Sequence, residues 1–150
     1  MTPSELADEE PRGSVRPLAI DTLTVDIRQF QSRYAKTLPL ERDGAFHMAP
    51  GVFTLARTRE RVHLPKTSRL AARVEGRSTL ARLGLVVHMT APVIHADFEG
   101  VIVLEMYNFN HYPLILRPNE LRICQLVFEQ LSDEPEGDLT SAHQHQRAVG

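Results

Sequence analysis

Apolar and polar side chains alternate at every second residue along much of the chain, a period that predicts short strands more often than helices. Residues 23–28 (Leu-Thr-Val-Asp-Ile-Arg) alternate in this way and are the first predicted strand. Pro50-Gly51 is a turn signal leading into a strand over 52–58, and residues 60–65 form another short extended piece closed by Pro65. After residues 70–75 and Gly76, the pattern predicts one short helix over 78–83, with Ser78 as its N-cap and Gly84 as its stop. Strands are predicted at 85–90, 98–108, 112–116 and 122–129. Strands this short, with turn signals about every eight to twelve residues, predict an all-β barrel or sandwich with one short helix.

Composition divides the chain. Residues 1–17, rich in Asp, Glu, Pro, Gly and Ser, are expected to be a flexible N-terminal arm, 18–131 the folded domain, and 132–150 a mobile polar tail. The 150 residues suffice for one domain with a true core, and 42% hydrophobic and 24% charged residues are ordinary for a globular protein. A formal net charge of -2 argues against long polyanions such as nucleic acid, while leaving room for a local basic pocket that takes a small anion. The sole cysteine, Cys124, lies in the run Ile123-Cys124-Gln125-Leu126-Val127-Phe128, where a core thiol is expected; it allows no disulfide within the chain and no cysteine-built zinc site. The sequence has no apolar run of membrane-spanning length or signal-like character, so no membrane partner is expected and the expected location is cytoplasmic.

Two places carry chemistry. Gly76-Arg77-Ser78 opens the predicted helix, where free backbone N–H groups, a small residue and two guanidinium groups (Arg77, Arg82) can cradle a phosphate; a surface turn with solvated arginines fits the same spacing. Glu105 lies in Val101-Ile102-Val103-Leu104-Glu105-Met106, sharing a strand face with Val101 and Val103. Apolar surroundings should raise its pKa toward neutrality, as a residue serving as both general acid and general base requires. A structural Glu paired with arginine, or one facing water at a strand edge, also fits.

Taken together, Val74-Glu75-Gly76-Arg77-Ser78-Thr79-Leu80-Ala81-Arg82-Leu83-Gly84-Leu85, Val87-His88-Met89-Thr90-Ala91, Phe98-Glu99-Gly100, Val103-Leu104-Glu105 and Ile123-Cys124-Gln125-Leu126 resemble the dCTP deaminase family of the dUTPase-like superfamily. The likeness runs from about Met48 to Phe128. It implies a distorted jelly-roll β fold, a homotrimer with sites between subunits, a pyrimidine nucleoside triphosphate carried with Mg²⁺, and deamination without zinc. The His-x-Glu and Pro-Cys-x-x-Cys signature of zinc deaminases is absent from the sequence. The resemblance assigns Glu105 as proton acceptor and donor. It assigns Ser78 and Arg82 to the phosphates and the catalytic water, and the Ala91 carbonyl to that water. Arg77, Thr79, Leu80 and Ala81 complete the nucleotide-binding segment, Val103 and Leu104 read the base edge through their backbone, and Gln125 contacts nucleotide. In the tail, His143-Gln144-His145-Gln146 is similar to a Tyr-Gln-x-Gln closing segment that puts Gln146 near the phosphates.

The chain also departs from the family pattern. Ile94-His95-Ala96-Asp97-Phe98 stands where Ile-Asp-Pro-Gly is usual, so His95 replaces the aspartate that faces the sugar hydroxyl and, in dUTP-hydrolysing members, activates water. Imidazole can hydrogen-bond a sugar but is not an equivalent base, which weakens a dUTP-hydrolysing reading; Asp97 is the other carboxylate within reach. Pro118-Asn119-Glu120-Leu121 replaces a Pro-Gly-Met turn, and Ala142 and His143 replace a lysine and a tyrosine of the closing segment. The N-terminal part is short for the family. Seven histidines are scattered, with only His143 and His145 at a spacing that shares a side of an extended chain, and no metal site is expected. Deamination of a cytosine nucleotide is the leading expectation. The alternatives are a regulatory member that binds nucleotide without turnover and a nucleotide phosphohydrolase.

Overall fold

The computed structural model describes residues 20, 21, 23–118 and 120–136. The predicted arm at 1–17, the turn residue Asn119, and Ala142, His143, His145 and Gln146 of the tail lie outside the described residues. The chain divides into a small N-terminal unit ending at Leu38 and a larger one beginning at Pro39.

In the N-terminal unit the predicted strand over 23–28 is not formed. Its place is taken by a turn followed by a helix, α1 (Ile27–Tyr34). Two aspartates account for the difference. Asp21 accepts from the Leu23 N–H at 2.9 Å, and Asp26 caps the helix by accepting from the Gln29 N–H at 3.0 Å. Such local bonds offer the backbone a turn and a helix start in place of a ladder. Phe30 and Tyr34, one helical turn apart, pack with tilted rings whose centroids are 4.7 Å apart.

The larger unit is built of antiparallel strands. A ribbon pairs β1 (Phe46–Met48) with β7 (Leu114–Leu116). One sheet has the order β2–β6–β4, from β2 (Phe53–His63), β6 (Glu99–Asn108) and β4 (Leu85–Val86); a second has the order β5–β3–β8, from β5 (Val93–Ile94), β3 (Leu70–Gly76) and β8 (Cys124–Gln130). Their inward side chains make one core: Ile102, Leu104, Met106 and Leu85 from the first sheet, Ala72, Val74 and Ile94 from the second, Met48 and Leu116 from the ribbon. Alternating burial along β6 is the strand period seen from inside. The mainly β expectation holds, but the described residues carry more than the one short helix expected: α1, a 3-10 turn at Lys66–Ser68 and the helix over Ser78–Arg82. Among the described residues no helix is long and apolar enough to cross a membrane.

Three boundaries differ from expectation. The pieces at 52–58 and 60–65 are one strand, β2, bent by a bulge between Arg57 and Arg61. Thr58 fills the bulge: its Oγ1 accepts from the Ile102 N–H at 3.0 Å and donates to the Glu60 carbonyl at 2.9 Å. The strand expected over 85–90 stops at Val86, because the chain there leaves the first sheet for the second, where the Val74 N–H donates to the Pro92 carbonyl at 2.8 Å. Tyr112 belongs to a loop, its N–H donating to Asn110 Oδ1 and its carbonyl accepting from Asn108 Nδ2, so β7 begins only after Pro113.

Candidate active site

Glu105 occupies the face of β6 that includes Val101, Val103 and Tyr107, and is half-buried; its neighbours Leu104 and Met106 are 2% and 3% exposed in the core. Leu55 of β2 lies opposite it. Among the described residues Glu105 has no hydrogen-bond or ion-pair partner, so the alternative of a carboxylate consumed by a structural arginine is not realised there.

The backbone of β6 has two sides. Asn108 O accepts from the Gly51 N–H just before β2, and Phe98 O accepts from the Leu64 N–H just after it. The Phe109 N–H instead donates to Gly84 O, just before β4. Since N–H and C=O alternate sides residue by residue along an antiparallel strand, even-numbered residues of β6 turn toward β2 and odd-numbered ones toward β4. β4 pairs β6 only at Asn108 and Tyr107. The N–H and C=O of Val103 and Glu105 therefore face a side of β6 on which no described strand pairs with them. Leu104 turns its backbone toward β2 and its side chain into the core. Of the two residues expected to read a base edge, only Val103 is turned to the open side.

The segment expected to take phosphate is α2 (Ser78–Arg82), which follows β3 and ends just before β4. Its N-cap is Arg77, and no side chain caps it; the expectation that Ser78 caps the helix is corrected, since Ser78 is already its first helical residue. The reason is that β3 extends through Gly76, so Arg77 alone makes the turn from extended to helical backbone. Arg77, Ser78, Thr79, Ala81 and Arg82 are exposed, while Leu80 anchors the helix against the core. Among the described residues neither Arg77 nor Arg82 has an ion-pair partner.

The remaining predicted residues sit on the second sheet or next to it. Ala91 is exposed in the crossing between sheets. His95 follows β5, is half-buried, holds Nδ1 2.8 Å from the Ala96 carbonyl and meets Phe98 edge-on. With Nδ1 donating to that carbonyl, Nε2 is the nitrogen left for another partner. Asp97 stands in the left-handed region with φ 68° and donates its N–H to Leu64 O at 2.7 Å. Gln125 is exposed on β8 opposite Glu75, on the outer face where Arg73 pairs with Glu75 and Glu129. Cys124, expected in the core, is half-buried at its margin; burial first, and the charge of Glu60 second, push its thiol above the ordinary value.

Sequence reasoning missed the polar knot where β6 ends. Asn108 is fully buried, its Nδ2 donating to the carbonyls of Met48 (2.9 Å) and Tyr112 (3.0 Å) and its Oδ1 accepting from the Asn110 N–H (2.9 Å). The signal was available: an asparagine follows Ile102, Leu104 and Met106 at the next inward position of the strand, and a buried amide needs partners.

Comparison with known proteins gives the family. The model of the dCTP deaminase-like family matches residues 14–131, and the chain belongs to that family. It is 45% identical over 103 residues to the "dCTP deaminase, dUMP-forming" of Methanosphaera stadtmanae, covering 69% of this chain and 51% of that protein. To the enzyme of the same name from Coprothermobacter proteolyticus it is 41% identical over 117 residues, covering 76% and 61%. To the dCTP deaminase of Rhodospirillum rubrum it is 48% identical over 87 residues, covering 58% and 43%. The chain thus spans about half the length of most of these curated relatives. The native EIAV dUTPase has a similar fold, with TM-score 0.51 at 16% identity, covering 65% of this chain and 78% of that one.

Proposed function

We propose that the chain deaminates dCTP or a closely related cytosine nucleotide. Water adds at C4 of the base, the exocyclic amino group leaves as ammonia, and a uracil nucleotide remains. The observation that carries this reading is Glu105, a half-buried carboxylate without a described partner beside the open side of β6, within the region matched by the deaminase-like family. In this reading Glu105 takes a proton from water and passes protons to N3 and the leaving amine. The N–H and C=O of Val103 meet the polar edge of the pyrimidine, and the Ala91 carbonyl helps to hold the water. Ser78 and Arg82 take the triphosphate, with Arg77, Thr79, Leu80 and Ala81 forming the rest of that segment and Gln125 and Gln146 adding outer contacts. Mg²⁺ arrives as part of the substrate, bound to its phosphates, and the chemistry uses no zinc. The working form is a cytoplasmic homotrimer with each site shared between subunits.

The relatives named dUMP-forming suggest a second product question, since forming dUMP from dCTP also releases pyrophosphate. His95 in place of a carboxylate favours a chain that stops at the triphosphate. Purified protein with Mg²⁺ is incubated with dCTP, CTP, dCMP and dUTP, and ammonia and pyrophosphate are followed separately. Ammonia from dCTP without pyrophosphate is the expected result. Pyrophosphate without ammonia sinks the deaminase reading in favour of a phosphohydrolase, and tight nucleotide binding with neither product replaces it with a regulatory one.

A further inference from the structure

The short helix α2 has little to hold it. Five residues are too few to sustain a helix by their own hydrogen bonds, because nucleation is costly and each bond gained is small. Packing holds it incompletely too: an apolar cleft of about 220 Å³ lies behind it, lined by Leu80, Leu83, Leu85, Leu114, Ile115 and Leu121 among others. What ties its C-terminal end to the strand of Glu105 is polar. Asn110 Nδ2 donates to the carbonyl of Leu83, the C-cap of α2, at 2.9 Å, and the Phe109 N–H donates to the next carbonyl, Gly84 O, at 2.8 Å. Asn110 is itself set in place on two sides, its N–H donating to Asn108 Oδ1 at 2.9 Å and its Oδ1 accepting from the Tyr112 N–H at 3.1 Å. The carbonyl it takes is one of those a helix end leaves without an intrahelical partner.

We propose that Asn110 is a positioning residue: its side-chain amide locks the end of α2 to the end of β6 and so fixes the distance between the phosphate-side residues Ser78 and Arg82 and the Glu105 strand. The role rests on the reading of Ser78 and Arg82 given under Proposed function. Asn110 touches no substrate in it, and acts by preventing α2 from sliding into the cleft behind it. A triphosphate spanning both elements is sensitive to such a slide, because misplacement of one anchor weakens binding without changing the reacting groups.

Asn110→Asp removes the tether but adds a charge, so the uncharged Asn110→Ser, too short to reach Leu83 O, is measured beside it. Asn110→Asp keeps an oxygen for the Tyr112 N–H and replaces the donor to Leu83 O with an oxygen. Amide exchange at Ala81, Leu83 and Gly84, whose N–H groups bond the carbonyls of Arg77, Leu80 and Ala81, should speed up about fivefold in the nucleotide-free protein, the opening expected for one lost hydrogen bond, while β6 amides stay as in wild type. The dissociation constant for dCTP should rise about fivefold to tenfold while that for dCMP stays within about twofold, and kcat for dCTP should change less than about twofold. Unchanged exchange at Ala81, Leu83 and Gly84 overturns the proposal. So does faster exchange with unaltered dCTP binding, or an equal loss for dCTP and dCMP, which would mark a general structural defect. Exchange and binding are measured without turnover, so a wild type that binds dCTP but releases no ammonia refutes the deaminase reading and leaves this test intact. A loss of dCTP affinity in Asn110→Asp that is missing in Asn110→Ser would belong to charge repulsion and also overturns the proposal, and Asn110→Ser alone decides the test if Asn110→Asp folds poorly.

Discussion

Single residues at the end of β6 are under more constraint than their exposure suggests. Gly84 has φ +82°, a region that costs other residues strain, and a Cβ placed there would lie 2.8 Å from the backbone N of Asn110. Gly84→Ala should therefore destabilise the protein by about 1–3 kcal/mol, read as a lower midpoint in urea at unchanged slope. An equal midpoint would show that the loop shifts without cost. Asn108→Ala removes both amide donors and the acceptor at once, leaving the Met48 and Tyr112 carbonyls and the Asn110 N–H without that partner inside the fold. A loss of about 2–4 kcal/mol in the same measurement is expected, since buried polar groups stripped of partners cost more than the bonds themselves gave. Gly84 belongs to the motif that made the family recognisable; Asn108 does not. Glu105 was legible through its apolar flanks together with the family motif; Asn108 could have been read from its inward place on the strand, whereas the bond from Asn110 to the Leu83 carbonyl joins groups that only the fold brings near.

At the scale of elements, β6 was legible nearly to its ends and α1 was not. Alternation over ten residues fixes a strand, whereas in residues 23–28 the same alternation competes with two aspartates that bond their own backbone, and the local bonds prevail. Periodicity saw two pieces in β2 because the bulge interrupts it, and overextended β4 because nothing in Leu85-Val86-Val87-His88 marks where a chain changes sheets. The β1–β7 ribbon has an electrostatic fastening that can be tested. Asp43 accepts the Ala45 N–H at 3.1 Å and pairs with Arg117 at 2.9 Å, and these hold its carboxyl below the ordinary 3.8. A pKa lower in the folded than in the unfolded state adds stability above the unfolded value, which is lost as pH falls through the folded one. Asp43→Asn should therefore melt slightly below wild type at pH 7, and the gap should close as pH is lowered through and below 3.8. A gap that is constant with pH would assign the effect to shape instead of charge. Because the group is exposed, the difference should be small and should shrink with salt.

For the whole molecule, the sequence motif and the fold answer different questions. The motif joins Gly76–Arg82, Ala91, Glu105 and Gln125 into one family pattern, although spacing alone left each with an ordinary structural explanation. The fold then separates them into two groups. Val103 and Glu105 lie on β6 of the first sheet, and α2, which joins β3 to β4, is tied beyond the end of β6 through Asn110, while Gln125 lies on β8 of the second sheet and His95 just after its strand β5. Side-chain alternation predicted which residues of β6 face outward. It could not predict that β4 would end at Val86 and leave the N–H and C=O of Val103 and Glu105 on a side without a described strand, since strand length is set by where the chain must cross. The central claim is that this open side, with Glu105 beside it, is where a cytosine nucleotide loses its amino group. Ammonia release from dCTP with Mg²⁺ by wild type and by Glu105→Gln tests it most directly. The account predicts ammonia from wild type and a loss of at least about a hundredfold in the variant, with melting temperature and dCTP binding preserved. Equal ammonia release from the two proteins, or none from a wild type that binds dCTP, would contradict it.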